Sequence, residues 1–172
     1  MTTTGERPAA AAKEIGNARR RKEDERLITG RTKWTDNIQF TSTLHLAMVR
    51  SPFAHARITS IDTTAAKSAP NVVTVLTGAD VAEEQGSLPN VWPLNDEQKT
   101  PPHPSIAVDR VAFAGEVVAV VVARSAAEAR DAAELVDVDY EELPAALDLK
   151  EAAAADETGG ALAHPDLGTN NS

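Results

Sequence analysis

Between Val49 and Ile58 the chain reads Val-Arg-Ser-Pro-Phe-Ala-His-Ala-Arg-Ile, which gathers two guanidinium groups (Arg50, Arg57), a hydroxyl (Ser51) and an imidazole (His55) into one short connection. A serine and a histidine with any carboxylate are the parts of a hydrolytic triad, in which the imidazole takes the hydroxyl proton. The supports for that chemistry are missing. Ser51 precedes Pro52 rather than a strained turn into a helix, and no glycines flank it to build an oxyanion hole. Glu116, beside Gly115 at the mouth of an apolar run, is a better-placed carboxylate, but a glutamate at a strand edge is more often solvated or ion-paired than a general base. The histidines His45, His55, His103 and His164 show none of the short spacings that put two ligands on one helix face, so hydrogen bonding is the better reading for each. No phosphate-cradling glycine motif is present; Gly30-Arg31-Thr32 lacks its partner glycines.

Composition narrows the function classes. The 172 residues carry 17 basic and 26 acidic side chains, a formal charge of −9, enough chain for one domain with a real core. The one basic run, Arg19-Arg20-Arg21-Lys22, is followed at once by Glu23, Asp24 and Glu25. Nucleic acid and acidic membrane surfaces are therefore disfavoured as partners, since both need an uncompensated basic face. Without cysteine the chain supplies no disulfide, thiolate nucleophile, iron–sulfur ligand or cysteine-bound zinc. The first thirty residues hold no apolar export core, and no window reaches the roughly 18 apolar residues of a membrane span, so a soluble cytoplasmic protein is expected.

The elements that position these groups follow from periodicity. Residues 1–14 read as a disordered leader and 15–40 as an extended arm. Ser42 to Arg50 alternates Leu44, Leu46 and Met48 with His45, Ala47 and Val49, a half-buried strand that Pro52 breaks. Arg57 to Ile61 is a second strand, followed by a brief helix over Ala65–Lys67 capped by Asp62 or Thr63. Val72–Thr77, closed by Gly78, is a β-branched run typical of a buried strand. From Gln85 to Pro104, five prolines exclude a helix or central strand and leave a long loop carrying Trp92 and His103. Val117–Ala123 is a continuous apolar run suited to a strand covered on both faces. Ser125-Ala126-Ala127-Glu128 then forms a capping box for a helix to about Leu135, with Ala129, Ala132, Ala133 and Val136 on one face. The strand Val136–Tyr140 alternates with Asp137, Asp139 and Glu141; paired in parallel with Val117–Ala123 it would complete a right-handed crossover. Residues 151–172 read as linker.

The joint order of segments is more specific than any one of them. Arg21-Lys22-Glu23-Asp24, Leu27-Ile28-Thr29-Gly30-Arg31, Asp36-Asn37-Ile38, Leu44-His45, Val49–Ile58, Thr77-Gly78-Ala79-Asp80, Val111 through Ala119 and Val138–Pro144 together resemble the large, molybdenum-binding subunit of the xanthine dehydrogenase, aldehyde oxidase and aerobic carbon monoxide dehydrogenase group. They resemble its N-terminal α/β-hammerhead domain, over residues 15–172. The resemblance implies an α+β fold with a mixed sheet, few helices and an extended N-terminal arm; a hammerhead at 41–150; and a linker at 151–172 leading toward molybdenum-binding domains that this chain, several-fold shorter than a full large subunit, does not contain.

The resemblance also implies a molybdenum–pterin cofactor in the parent enzyme, with iron–sulfur clusters and FAD in partner subunits or domains. This chain alone would bind no cofactor, because no catalytic, pterin-binding or metal-binding position of the family has a counterpart here. Expected partners are the remaining molybdenum-binding domains and the iron–sulfur and FAD subunits. Arg50, Ser51, His55, Arg57, Gly115 and Glu116 are candidates for docking; an ion pair within the domain is an equal reading for one of the two arginines. Trp92 and Leu94, large apolar residues in a polar loop, are candidates for a substrate-channel wall. A free-standing, non-catalytic binding or assembly module with the hammerhead fold is the alternative reading.

Overall fold

A computed structural model describes residues 20–38, 40–89 and 96–171; the expected leader over 1–14 and the channel candidates Trp92 and Leu94 lie outside the described residues. The chain divides into two units, residues up to Thr41 and residues from Ser42 on. In the first, α1 (Asp24–Ile28) is a single helical turn started by the Asp24 carboxylate, which accepts the Arg21 N–H at 2.9 Å. A 3₁₀ turn over Thr35–Asn37 follows, with the Asn37 side chain accepting the Trp34 N–H at 3.0 Å. No side chain of α1 or of this turn is buried, and Ile28, Trp34 and Phe40 are all exposed.

The second unit consists of two three-stranded antiparallel sheets. One has the order β1 (His45–Arg50), β5 (Val117–Ala123), β3 (Val72–Thr77); the other has β4 (Arg110–Val111), β2 (Ala56–Asp62), β6 (Asp137–Glu142). The α+β class stands, but in place of one mixed sheet there are two sheets in which every pairing is antiparallel. The conditional parallel crossover does not form: β5 pairs with β1 and β3, whereas β6 pairs with β2 in the other sheet. The intervening helix α3 (Ala126–Ala133) therefore carries the chain from one sheet to the other instead of back alongside β5.

β5 is the strand its sequence describes, central and buried on both faces. Val121 and Ala123 face α3, sharing two small cores with Val75, Ala66, Ala47, Ala129 and Ala132. Val118 faces the other way into a third core with Ala56, Ala107 and Val111. The alanines on α3 allow close approach to the sheet, and its cap is the expected one: Ser125 Oγ accepts the Glu128 N–H at 3.3 Å and donates to the Glu128 carboxylate at 2.7 Å. The brief helix α2 (Thr64–Ser68) starts from Asp62, whose carboxylate accepts the Thr64 N–H at 2.8 Å.

Two faces differ from the periodic reading. In β1 the small residue Ala47 is buried and the large ones, Leu46 and Met48, are half-exposed, because α3 occupies the side that only alanine-sized residues leave room for. β3 is a sheet edge, and of its residues only Val75 is buried. Beyond β6 the chain forms α4 (Leu149–Ala153), α5 (Ala155–Thr158) and a 3₁₀ turn over Pro165–Leu167. The Asn170 side chain ties these residues together, accepting from Ala163 N–H at 2.9 Å and donating to the carbonyls of Ala152 and Ala161 at 3.0 Å each.

Candidate functional site

The connection from Arg50 to Ala56 is held against the turn that precedes β5. Phe113–Glu116 is a β-turn closed by Glu116 N–H to Phe113 C=O at 3.2 Å, and Gly115 sits in its third position at φ +91°, a conformation that favours glycine. Ser51 N–H donates to Glu116 C=O at 2.9 Å, Gly115 N–H to Ser51 C=O at 2.8 Å, and the Arg50 guanidinium to Gly115 C=O at 2.7 Å. Arg50-Ser51 and Gly115-Glu116, sixty-five residues apart in sequence, are thus one interlocked structure.

Each polar side chain in this cluster has a task within the fold. Ser51 is 3% exposed; its hydroxyl accepts the Phe53 N–H at 3.0 Å and lies 3.2 Å from the Phe53 carbonyl, closing the turn through Pro52. Phe53 packs on Tyr140 with ring centroids 5.1 Å apart. Burial pushes the Tyr140 hydroxyl up from its ordinary pKa, and a hydrogen bond with Ser51 pulls it partly back. His55, 4% exposed, bonds through Nδ1 to the Pro144 carbonyl at 2.7 Å. That contact makes Nδ1 the protonated nitrogen, and the buried Nε2 has no partner among the described residues.

Ser51 and His55 therefore face different neighbours, and no hydrogen bond joins them among the described residues. Glu116, which a strand-edge position would leave solvated or ion-paired, makes no ion pair among the described residues. It is 7% exposed and accepts the Ala112 N–H at 2.6 Å. Of the six docking candidates, Arg50 and Arg57 are exposed and Gly115 is partly so; Arg57 pairs with Glu141 at 3.4 Å across β2 and β6.

The sequence marks Gln85 and Gly78 only as segment ends and gives neither a task in the fold. The Gln85 side chain accepts the Ile106 N–H at 3.0 Å and donates to the Ile106 carbonyl at 3.1 Å. Next to it, His103 N–H donates to Ser87 Oγ at 2.8 Å and Leu88 N–H to the His103 carbonyl at 2.8 Å. The proline-rich loop is thereby clasped at its base. Gly78 backs onto the same strip: a Cβ there would lie 2.0 Å from the Ala107 carbonyl oxygen. Asp80 closes this turn by accepting from both the N–H and hydroxyl of Thr77, at 2.8 Å each, which lowers its pKa. The signal available was the Thr-Gly-x-Asp spacing, which is that of a side-chain-capped turn.

Between the clasp and the Gly115 turn lies a cavity of about 290 Å³ whose wall includes Glu116, Asp109, Arg110, His103 and His164. Arg110 is held by Asp166 at 2.8 Å. Burial pushes the His164 pKa down, aided by the Arg110 charge and by His103 and His55 and opposed by Asp166. Among the described residues, no group of three His, Cys, Asp or Glu side chains is arranged to hold a metal ion.

In this domain of two antiparallel sheets the buried polar side chains Ser51, His55 and Glu116 each bind its own backbone. Comparison with known proteins gives its family. Residues 29–144 match the model for "Aldehyde oxidase and xanthine dehydrogenase, a/b hammerhead domain", and the chain belongs to that family. It is 42% identical over 135 residues to the nicotine 6-hydroxylase large subunit of Paenarthrobacter nicotinovorans, covering 78% of this chain and 16% of that one. It is 33% identical over 118 residues to the xanthine dehydrogenase molybdenum-binding subunit of Escherichia coli O157:H7, covering 68% and 16%. In the crystal structure of quinoline 2-oxidoreductase from Pseudomonas putida 86, the matching region superposes with a TM-score of 0.73 at 43% identity, covering 90% of this chain and 19% of that one. The chain thus spans about a sixth of the length of these curated relatives.

The relatives belong to molybdenum-cofactor enzymes, and the cavity beside Glu116 does not fit a molybdenum–pterin. The cavity beside Glu116 presents carboxylates where a phosphate-bearing cofactor needs cations or N–H donors. The glycines at positive φ, Gly30, Gly115, Gly159 and Gly168, stand in four separate turns. No step of molybdenum chemistry is assigned to this chain's residues.

Proposed function

We propose that this chain is the hammerhead part of a molybdenum hydroxylase large subunit, that it acts in the cytoplasm, and that its task is to pack against the molybdenum-binding domains and the iron–sulfur and FAD subunits. The observation that carries this reading is the family match over 29–144 in a chain spanning about a sixth of its relatives. It is supported by the internal commitments of Ser51, Glu116 and the Nδ1 atom of His55. No described helix is long and apolar enough to cross a membrane. Docking would use Arg50 and Arg57 at the surface, with Ser51, His55, Gly115 and Glu116 setting the shape of the segment that presents them. Trp92 and Leu94 remain assigned to the substrate-channel wall of the assembled enzyme. Residues 15–40 serve as the arm, and 151–172 lead from the hammerhead toward the next domains.

The test is co-purification of the tagged chain from its native cell, followed by metal analysis. We expect molybdenum and iron in the complex and neither in the chain purified alone. Stoichiometric molybdenum on the isolated chain, or recovery of the chain without any molybdenum protein, would sink the proposal.

A further inference from the structure

We propose that the N-terminal arm of one copy of this chain docks on the open edge of β1 in a second copy, and that the exchange is reciprocal. The charge of the chain is divided along the same line as its two units. Residues 1–41 hold nine basic and six acidic side chains, whereas residues 42–172 hold eight and twenty. A unit at +3 and a unit at −12 therefore come from one chain of −9, and opposite charge on two surfaces both guides their encounter and disfavours pairing of like with like. Glu23, Asp24 and Glu25 interrupt the basic run of the arm, which suits a protein surface better than a line of phosphates.

Apolar side chains supply the holding contacts. On the arm, Ile28 is 84% exposed, Trp34 62% and Ile38 55%, which is far more apolar surface than scattered single residues present. On the other unit, Leu44, Leu46 and Met48 stand about half-exposed at β1, an outer strand of its sheet. Leu46 and Met48 also line a groove of about 430 Å³ together with Ala133, Arg130 and Glu134. An indole brings such a groove a large apolar area and one N–H, for which the Glu134 carboxylate is an acceptor, so Trp34 is the anchor of the arm. Arm and groove lie on the same polypeptide, and two copies about a two-fold axis satisfy both surfaces twice. The inference goes beyond the function proposed above and is tested on the free chain without any molybdenum protein, so either can fail alone.

Sedimentation equilibrium of the full chain, over concentrations up to about 1 mM, should show a reversible monomer–dimer equilibrium. Trp34→Ser in the arm, and separately Leu46→Thr with Met48→Thr in the groove, should each weaken the dimer by about tenfold or more, as the loss of a buried anchor does. Lys33→Glu, which alters no apolar contact, should weaken it by about threefold and keeps the test open if either of the others fails to fold. Mixing the arm variant with the groove variant is the decisive measurement. Each variant alone forms a dimer with two damaged contacts, whereas the mixed pair keeps one contact intact, so the mixture should associate more tightly than either component. A chain that stays monomeric over the whole range, a dimer indifferent to Trp34→Ser and Lys33→Glu, or a mixture no tighter than its components would overturn the proposal, the last result pointing instead to a dimer built arm to arm or edge to edge.

Discussion

At the residue scale the two glycines with structural duties can be told apart. Gly115 has open space around an added Cβ but a φ of +91°, whereas Gly78 has an ordinary φ and a carbonyl oxygen 2.0 Å from that Cβ. Gly115→Ala should cost about 1–2 kcal/mol of conformational strain. Gly78→Ala forces backbone apart and should cost about 1–3 kcal/mol, with displacement of the Ala107 strip as well. Urea denaturation orders the two, and amide shifts around Ala107 should move in the second variant only. Tyr140 offers a spectroscopic check, because it is the only tyrosine in the chain. Removing the Ser51 hydroxyl with Ser51→Ala deletes the influence that lowers the Tyr140 pKa and leaves the burial that raises it. Ultraviolet titration of the variant should therefore place phenolate formation at higher pH than in the parent chain. In linkage terms, the raised Tyr140 pKa contributes stability that is complete below its unfolded value and lost as pH rises through the folded one.

At the element scale, helix α3 and the outer face of β1 carry separable expectations. Ser125→Ala removes the acceptor for Glu128 N–H and should cost about 1 kcal/mol, read from the thermal midpoint. Glu128, Asp62 and Asp80 all have lowered pKa values, caused chiefly by hydrogen bonds from Ser125, Thr64 and Thr77 respectively. Their contribution is present above the ordinary carboxylate range and is lost as pH falls through the lowered folded values. Acid should destabilise the Ser125→Ala variant less steeply than the parent. On β1, Leu46 and Met48 stand half-exposed on the sheet face opposite α3. Changing both to threonine should leave the unfolding midpoint of the isolated chain nearly unchanged and reduce its self-association in light scattering.

Much of this was legible in the chain. The apolar run of β5 and the box at Ser125 depend on near neighbours, so the sequence specifies them locally. What it concealed depends on partners far along the chain. Alternation in β1 showed two faces but not which one α3 covers, and the larger side chains turned out to be the exposed set. Glu116 read as an edge carboxylate because its acceptor role depends on how the Gly115 turn folds over Ala112. Ser51 and His55 read as a chemical pair because they are four residues apart, yet their partners are Phe53 and, eighty-nine residues on from His55, Pro144.

At the scale of the whole molecule, β5 lies between two strands that both come before it in sequence. His45 and Val72 meet Ala123 from opposite sides, so β1 and β3 acquire their common neighbour only at that point in the chain. During synthesis the first 116 residues offer β1 and β3 no finished sheet to join, and pairings of this separation close slowly. The sheet of β1, β5 and β3 should stay protease-sensitive on the ribosome until Val117–Ala123 and α3 have cleared the exit tunnel, and the second sheet until β6 has followed. Limited proteolysis of nascent chains arrested at increasing lengths would show β1 and β3 protected together, at the length where one seven-residue strand emerges.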